Sequence, residues 1–501
     1  MTDRPRPRHP ALAATLSFLF PGLGQAYAGQ RRLAALLAVP VLLLLVGIGV
    51  AYLAFDRVRN EVLSSSFLVA VLLIDAALLV WRLFAIGEIG FAAPTRFAAA
   101  DEAHHPRIER WLERSWLRIG FVSFLLAVTV AMHAWVGVVV VELNSTLDRV
   151  FAGGNPTAPH DGGTVEQPLN RPEYRWNGTE RVNFLLLGID SGVGRDEALT
   201  DTILVVSVDP VARTAVMVSI PRDTGYLPLP DTSVYPDGRY PRKINQLSTD
   251  AQADANRWCP DLAASADCGL RALERSVGLY LGIPIQYYAT VDLAGFTELI
   301  DAVGGVDLCL PGTMVDDQYS GPTWSPRVGI TLEAGCRHYD GVHALAYARI
   351  RKGYIELPDG TRDPQNDFKR ADRQQEVLLA LRRELAATNV VFELPRILDV
   401  IGRTVATDFP RDKVGDLATL LPLVAGPDID RVVLGLPKYV SPPVDPSANY
   451  LLIPKRNAIR TEMRSLFGDE LQGWYVGSRD AGPPAESASP SVTPTPSAGD
   501  G

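Results

Sequence analysis

Apolar residues gather first into three long stretches and later into many short ones. Leu33–Phe55 carries no charge over 23 residues and is broken only by Pro40 and two glycines. A helix rises 1.5 Å per residue, so a stretch of this length crosses about 30 Å of hydrocarbon. Phe67–Ile86, with Asp75 inside it and Arg82 near one end, and Phe121–Val141, interrupted by His133, are two further candidate spans. Ala11–Leu23 is also apolar, but it is only 13 residues long and ends in Pro21-Gly22-Leu23-Gly24-Gln25. It is too short to span and is expected to be re-entrant or interfacial. Asp75 in an apolar helix is expected either to serve a function or to pack against neighbouring helices.

Beyond Val141 the pattern changes. Glu142–Thr179 is rich in Gly, Pro, Asn and Thr and reads as a linker. From Glu180 on, short apolar runs take over. Val182–Asp190, Thr202–Val208 and Ala215–Ile220 are apolar on both faces, as strands are when helices cover a sheet from two sides. Helices are expected at Leu270–Leu281, Leu293–Val303, Gly341–Ile350, Phe368–Thr388, Val390–Val405 and Lys413–Leu423, with a late strand at Arg431–Leu436. In the fourth of these helices Val377, Leu378, Leu381 and Leu385 keep helical spacing.

The predicted fold class is α/β: an extracytoplasmic α-β-α domain around a central mixed sheet, preceded by an N-terminal helical membrane region. Residues 1–32 are assigned to a cytoplasmic N-terminus with the short apolar segment. Residues 33–141 form the membrane region (33–55, 67–86, 121–141), 142–179 the linker and 180–477 the α/β domain. Residues 478–501 are a Pro/Ser/Ala-rich tail of disordered composition.

Charge sets the orientation. Arg4, Arg6, Arg8, Arg31 and Arg32 precede or open the first span, and five more arginines lie between Glu88 and Arg118, whereas Asp56–Ser66 holds only Arg57 and Arg59. Cationic loops stay in the cytoplasm, so everything after Val141 is expected outside, in a multi-pass protein of the cell membrane in contact with its lipid. With 48 Lys and Arg against 57 Asp and Glu, the net −9 offers no basic excess for nucleic acid. Cys259, Cys268, Cys309 and Cys336 all fall in the exterior domain, where oxidising conditions permit disulfides. Proximity favours Cys259 with Cys268 and Cys309 with Cys336. Zinc is the alternative, though there is no CxxC pair and His338 is the one imidazole nearby.

Four clusters could carry chemistry. Asp190 ends one strand and Asp201 opens the next; two carboxylates so delivered could hold one Mg²⁺, a hard ion that takes oxygen ligands. Ser219-Ile220-Pro221-Arg222-Asp223-Thr224 places an arginine just past a buried strand, where α/β folds expose ligand-binding residues. Lys243-Ile244-Asn245 is the third. The densest holds Arg349 and Arg351, then Asp367, Arg370, Arg373 and Gln374, the last three sharing one helix face. Arginines converging beside a metal pair suggest a diphosphate clamp, while a salt-bridged helix surface is the alternative. Gly304-Gly305 is followed by no phosphate-loop pattern and reads as a turn.

These blocks, in this order, resemble the LytR-CpsA-Psr family of extracytoplasmic enzymes. The match runs from about Val182 to Arg382 through Asn183–Asp190, Asp201–Val205, Ser219–Thr224, Lys243–Asn245, Val291–Phe296 with Asp301–Asp307, Asp340–Arg351 and Asp367–Gln375. The resemblance implies an enzyme that moves a glycopolymer, such as teichoic acid, capsular polysaccharide or arabinogalactan, from a polyprenyl diphosphate carrier to peptidoglycan, forming a phosphodiester. It implies Asp190 and Asp201 as metal ligands and Arg222, Arg349, Arg351 and Arg370 as diphosphate ligands, with Gln374 alongside. The expected diphosphate set also includes Lys243 and Arg195. Asp201, Arg222, Asp223, Arg349 and Arg351 are the expected catalytic residues, with Asp201 and Asp223 the candidates for the base. One departure is Leu199, where the family usually carries arginine; Arg195 is the nearest substitute. The same residues with water as acceptor would make a diphosphatase, and without turnover a lipid-diphosphate sensor or scaffold. The three spans also exceed the single one of many members, and Ser17–Gln25 with Tyr27 and Gly29 looks like a small added membrane module.

Overall fold

The computed structural model describes residues 10–54, 60–91, 115–151, 176–190, 199–230, 233–260, 267–321, 329–387, 390–418, 420, 429–443 and 450–468. The expected tail at 478–501 and Arg195 lie outside the described residues. Contacts divide the chain into two units. One comprises residues up to Asp148 together with Arg411–Asp416; the other comprises Arg149–Pro410 and the residues from Leu417 on.

The first unit holds α1 (Pro10–Leu19), α2 (Arg31–Leu53), α3 (Ser65–Gly90) and α4 (Ser115–Val150). The last three are long and apolar enough to cross a membrane; α1 is not. A polar clamp holds α1 and the turn after it against α3. The Ser17 hydroxyl donates to Gln25 Oε1 at 2.9 Å, Gln25 Nε2 donates to the Ala85 carbonyl at 2.8 Å, and the Arg82 guanidinium donates to the Phe18 carbonyl at 2.5 Å. Asp75 meets His133 Nδ1 at 2.7 Å, so the two polar interruptions of separate apolar helices satisfy one another. Helix α4 continues to Val150, past the expected boundary at Val141. Leu143, Leu147 and Val150 extend its apolar stripe by i, i+4, i+7, which explains why a stretch read as linker is helical at its start.

The second unit is built on a mixed sheet, six-stranded among the described residues. Its first strands are β1 (Val182–Asp190), β2 (Leu199–Asp209) and β3 (Thr214–Ser219). Helices α5 (Ile244–Ala253) and α6 (Cys268–Leu281) follow, then β4 (Tyr287–Asp292), α7 (Leu293–Ala302), β5 (Val306–Leu310), β6 (Gly335–Tyr339) and α8 (Gly341–Arg349). Further along come α9 (Asp367–Ala387), α10 (Val390–Thr404), β7 (Val405–Thr407), β8 (Ile429–Val433) and α11 (Arg456–Phe467). Strand order is β7-β4-β1-β2-β3-β8, with β1 parallel to β4, β3 parallel to β8 and the other pairs antiparallel.

Both sheet faces are covered, as the doubly apolar strands require. Leu185, Leu187, Ile203, Val205, Val216 and Val218 pack under Ile244 and Leu247 of α5, Leu273 and Val277 of α6, and Ile459 and Met463 of α11. Val182, Leu204, Val206, Ala215 and Met217 form the other face, with Leu378 and Leu379 of α9 against it. Helix α9 turns Val377, Ala380 and Leu381 away into a further apolar cluster with β5, α8 and α10. A small antiparallel sheet of Arg362–Pro364, Tyr354–Glu356, Thr313–Asp316 and Ile330–Leu332 adjoins that cluster. The domain begins earlier than Glu180, because Trp176 is fully buried and its indole N–H donates to the Glu180 carbonyl at 2.7 Å. Of the helix expected at Lys413–Leu423, residues 419 and 421–423 lie outside the described residues; the described part is a 3₁₀ turn, Arg411–Lys413, followed by a short helix, Val414–Ala418. Both expected disulfides, Cys259–Cys268 and Cys309–Cys336, are formed, which removes the zinc alternative for these four thiols.

Beside β4, the buried Asp408 accepts the Tyr288 N–H at 2.8 Å. Burial pushes its carboxyl up to about 7, against the pull of that hydrogen bond. The folded protein therefore keeps a proton that the unfolded chain releases near pH 4. This site favours folding at low pH, and its contribution fades as pH climbs towards 7. Between those limits the Asp408→Asn protein is expected to gain on the parent by up to about 1.4 kcal/mol per pH unit in urea denaturation.

Candidate active site

The site forms where β1 ends and β2 begins. Along β1/β2 the pairing runs regularly to Gly188↔Thr202 and resumes at Ile189↔Thr200, leaving Asp201 as the extra residue of a bulge. A bulge re-aims side chains that alternation would send to opposite faces. The contacts reflect this: Thr200 Oγ1 donates to the Asn245 carbonyl at 3.3 Å, and Asn245 Nδ2 donates to Asp201 Oδ1 at 3.1 Å, so consecutive residues meet the same neighbour. Gly188 allows the kink, because a Cβ there would stand 2.9 Å from the Thr202 side chain.

Asp201 is the hub of a charge chain. Its Oδ2 accepts Arg222 Nη1 at 2.6 Å, and its carbonyl accepts Arg370 Nη2 at 3.4 Å. Asp367, at the start of α9, lies 3.6 Å from Arg222 Nε and 3.0 Å from Arg370 Nη2, so one carboxylate separates two guanidinium groups. Burial works against the charge of Arg222, but Asp201, Asp367 and Asp223 outweigh it and raise its pKa. Arg370 is buried more deeply and shifts the other way: desolvation lowers its pKa, Asp367 opposes that, and Arg222 adds to it. Anionic oxygens delivered to this pair would relieve both the desolvation and the mutual repulsion.

Asp190, only 1% exposed, faces Arg349 Nη2 at 3.5 Å, and Arg349 Nη1 donates to the Gly321 carbonyl at 2.9 Å. Leu199 is the register partner of Asp190, so the position where the family carries arginine lies directly across from the first carboxylate. Lys243 is engaged with Asp223, Nζ to Oδ1 at 2.6 Å. Gln374 Nε2 donates to the Ala348 carbonyl at 3.4 Å, on the stretch leading to Arg349. Arg351, half-buried, lies two residues past α8.

Sequence spacing placed Arg370, Arg373 and Gln374 on one face, but Arg373 does a different job. It is buried, donates through Nε to the Tyr347 carbonyl at 2.7 Å, and also bonds Gln365 and the Ile350 carbonyl. It fastens α9 to the end of α8. The Arg373→Met protein is expected to lose about 3 kcal/mol of stability, measured by urea denaturation, because several buried acceptors lose their donor at once. Two contributors were absent from the expected site set. Asn245 and Asp367 each lie inside a block already singled out, and the i, i+3 spacing of Asp367 and Arg370 was the available signal. Other aspartates of the blocks are structural: Asp292 and Asp340 cap α7 and α8, accepting the Gly295 and His343 N–H groups at 2.6 and 2.9 Å.

The donor set fits a hard divalent ion. Asp190 and Asp201 offer carboxylate oxygens, and an oxygen that already accepts from Arg222 or Asn245 retains a second lone pair.

Residues 155–435 match the model of the LytR_cpsA_psr family. The chain belongs to this family. Among relatives of the LytR-CpsA-Psr domain, the polyisoprenyl-teichoic acid–peptidoglycan teichoic acid transferase TagU of Oceanobacillus iheyensis is 32% identical over 265 residues, 51% of this chain and 70% of that protein. The enzyme of the same description named TagV, from Bacillus subtilis, is 31% identical over 227 residues, 45% of this chain and 49% of that protein. The crystal structure of B. subtilis TagV is 25% identical, covers 59% of this chain and 98% of that one, and superposes with a TM-score of 0.42.

Proposed function

We propose that this protein transfers a glycopolymer from a polyprenyl diphosphate carrier to a peptidoglycan hydroxyl, leaving a phosphodiester. The carrying observation is the bulge that sets Asp201 among Arg222, Asn245 and Arg370, beside Asp190 and Arg349. The names of the relatives, which describe transfer of polyisoprenyl-linked teichoic acid to peptidoglycan, support the same reading.

In this mechanism Arg222, Arg370 and Arg349 receive the diphosphate oxygens. Charge grows on the departing polyprenyl phosphate, and fixed cations in a partly desolvated site stabilise that charge without reorganising. Asp367 keeps Arg222 and Arg370 apart and aimed. Asp223 is paired with Lys243 and Asp201 with Arg222, each at 2.6 Å, and these two carboxylates are the candidates to orient or deprotonate the acceptor hydroxyl. Asp190 and Asp201 would hold Mg²⁺, which supplies charge neutralisation at the phosphoryl oxygens when bound. A pre-energised diphosphate donor suits a domain outside the cell, where no ATP is at hand. The three apolar helices support a membrane-anchored protein crossing the bilayer three times with this domain outside.

The test incubates the full chain in detergent with a synthetic polyprenyl-diphosphate oligosaccharide, Mg²⁺ and a peptidoglycan acceptor, and follows products by mass spectrometry. A glycan joined to the acceptor through one phosphate is expected. Free glycan phosphate alone would identify a hydrolase, and intact donor a sensor.

A further inference from the structure

Gly304-Gly305, left over as a plain turn, wraps an imidazole. Both glycines have positive φ, +96° and +110°, and a Cβ on Gly305 would lie 2.3 Å from His338 Nε2. That Nε2 stands 2.7 Å from the Gly304 carbonyl, which can only accept, so Nε2 carries the hydrogen. Nδ1 faces Asp307 Oδ1, 2.8 Å away. With a proton on Nδ1 the two form an ion pair; a divalent cation that displaces this proton meets the same nitrogen and carboxylate. His338 and Asp307 are register partners across β5/β6, and the Cys309–Cys336 disulfide, also a register pair, ties the same two strands two residues along. Glu384, on the last turns of α9, completes a set whose ligand atoms all lie within 4.8 Å of one another.

The geometry points to a second metal site in the exterior domain, formed by His338 Nδ1, Asp307 and Glu384 and selective for a borderline divalent cation of the Zn²⁺ class. One nitrogen and two carboxylate oxygens, each able to reach a cation at about 2 Å, suit Zn²⁺ far better than Mg²⁺, which prefers oxygen and retains its water. The Gly304 carbonyl supplies the outer contact that fixes the ring tautomer of a ligating histidine. The site shares no residue with the phosphoryl-transfer constellation; a bound ion there would tie α9, which carries Arg370, to the paired strands β5 and β6.

Equilibrium dialysis of the full chain in detergent against Zn²⁺, with Mg²⁺ in excess, is expected to retain one Zn²⁺ per chain. Co²⁺ in its place should give visible absorption bands of nitrogen and oxygen ligation. His338→Ala should weaken retention by more than about 100-fold, and Glu384→Gln by about tenfold, with unchanged circular dichroism. His338 and Asp307 are exposed, so neither the fold nor the core depends on them. No retained Zn²⁺ in the parent protein overturns the site. So does retention unaffected by His338→Ala, which would assign the metal to other histidines such as His104 and His105. Equal retention by the Glu384→Gln protein overturns the three-ligand set.

Discussion

The Asp201→Ala protein is expected to lose transfer, with kcat/KM down by about 10³-fold or more while the domain stays folded. Three contacts converge on this residue. Its carboxylate fixes Arg222 at 2.6 Å, its other oxygen takes the Asn245 amide, and its carbonyl receives Arg370. Alanine removes one of the two candidate metal carboxylates and takes away the shortest ion pair of Arg222, leaving Asp367 at 3.6 Å and the charge of Asp223. Asp201→Asn keeps the bulge and the size but not the charge, and should fall nearly as far. Product formation by mass spectrometry, with thermal unfolding alongside, checks the claim. An alanine protein that still transfers at a tenth of the parent rate would place the chemistry elsewhere.

Arg222→Lys carries the second large effect. The charge survives, but a single ammonium cannot bridge Asp201 and Asp367 while also presenting a planar fork to phosphoryl oxygens. The expected loss in kcat/KM is about 10²-fold, mostly in kcat if the guanidinium meets charge that develops late. A rise in KM alone would mean that Arg222 binds the ground state only. The pairing with Asp367 adds a control: Asp367→Asn should disturb Arg222 and Arg370 together, so the double variant should lose less than the sum of the two single losses.

Much of the chemistry was legible in linear order. Asp190 and Asp201 stand at strand ends because apolar runs stop there, and Arg222 follows a buried strand directly. Arg349 ends a short helix and Arg370 lies one turn into the next long one. What spacing could not divide was labour within a face. Arg373 and Arg370 are three residues apart on the same helix, yet Arg373 spends its donors on Tyr347, Ile350 and Gln365, while Arg370 reaches Asp201. Periodicity gives direction around an axis; the packing partner at each level decides the role. Lys243 shows the same limit, being matched with Asp223 twenty residues earlier. The short strands of the small sheet escaped notice because three or four residues carry too little alternation to register.

Local pattern therefore gave the three long apolar helices, the doubly covered strands, the cysteine pairs and the identity of the charged residues. Tertiary structure alone decided which of those charges meet. Asp190 finds Arg349 across 159 residues, and the Asp201 carbonyl finds Arg370 across 169. The placement of Asp201 rests on its being the one unpaired residue in the β1/β2 ladder, where it meets Asn245. A bulge is a mismatch between two strands, so it belongs to their pairing and to neither strand's own sequence.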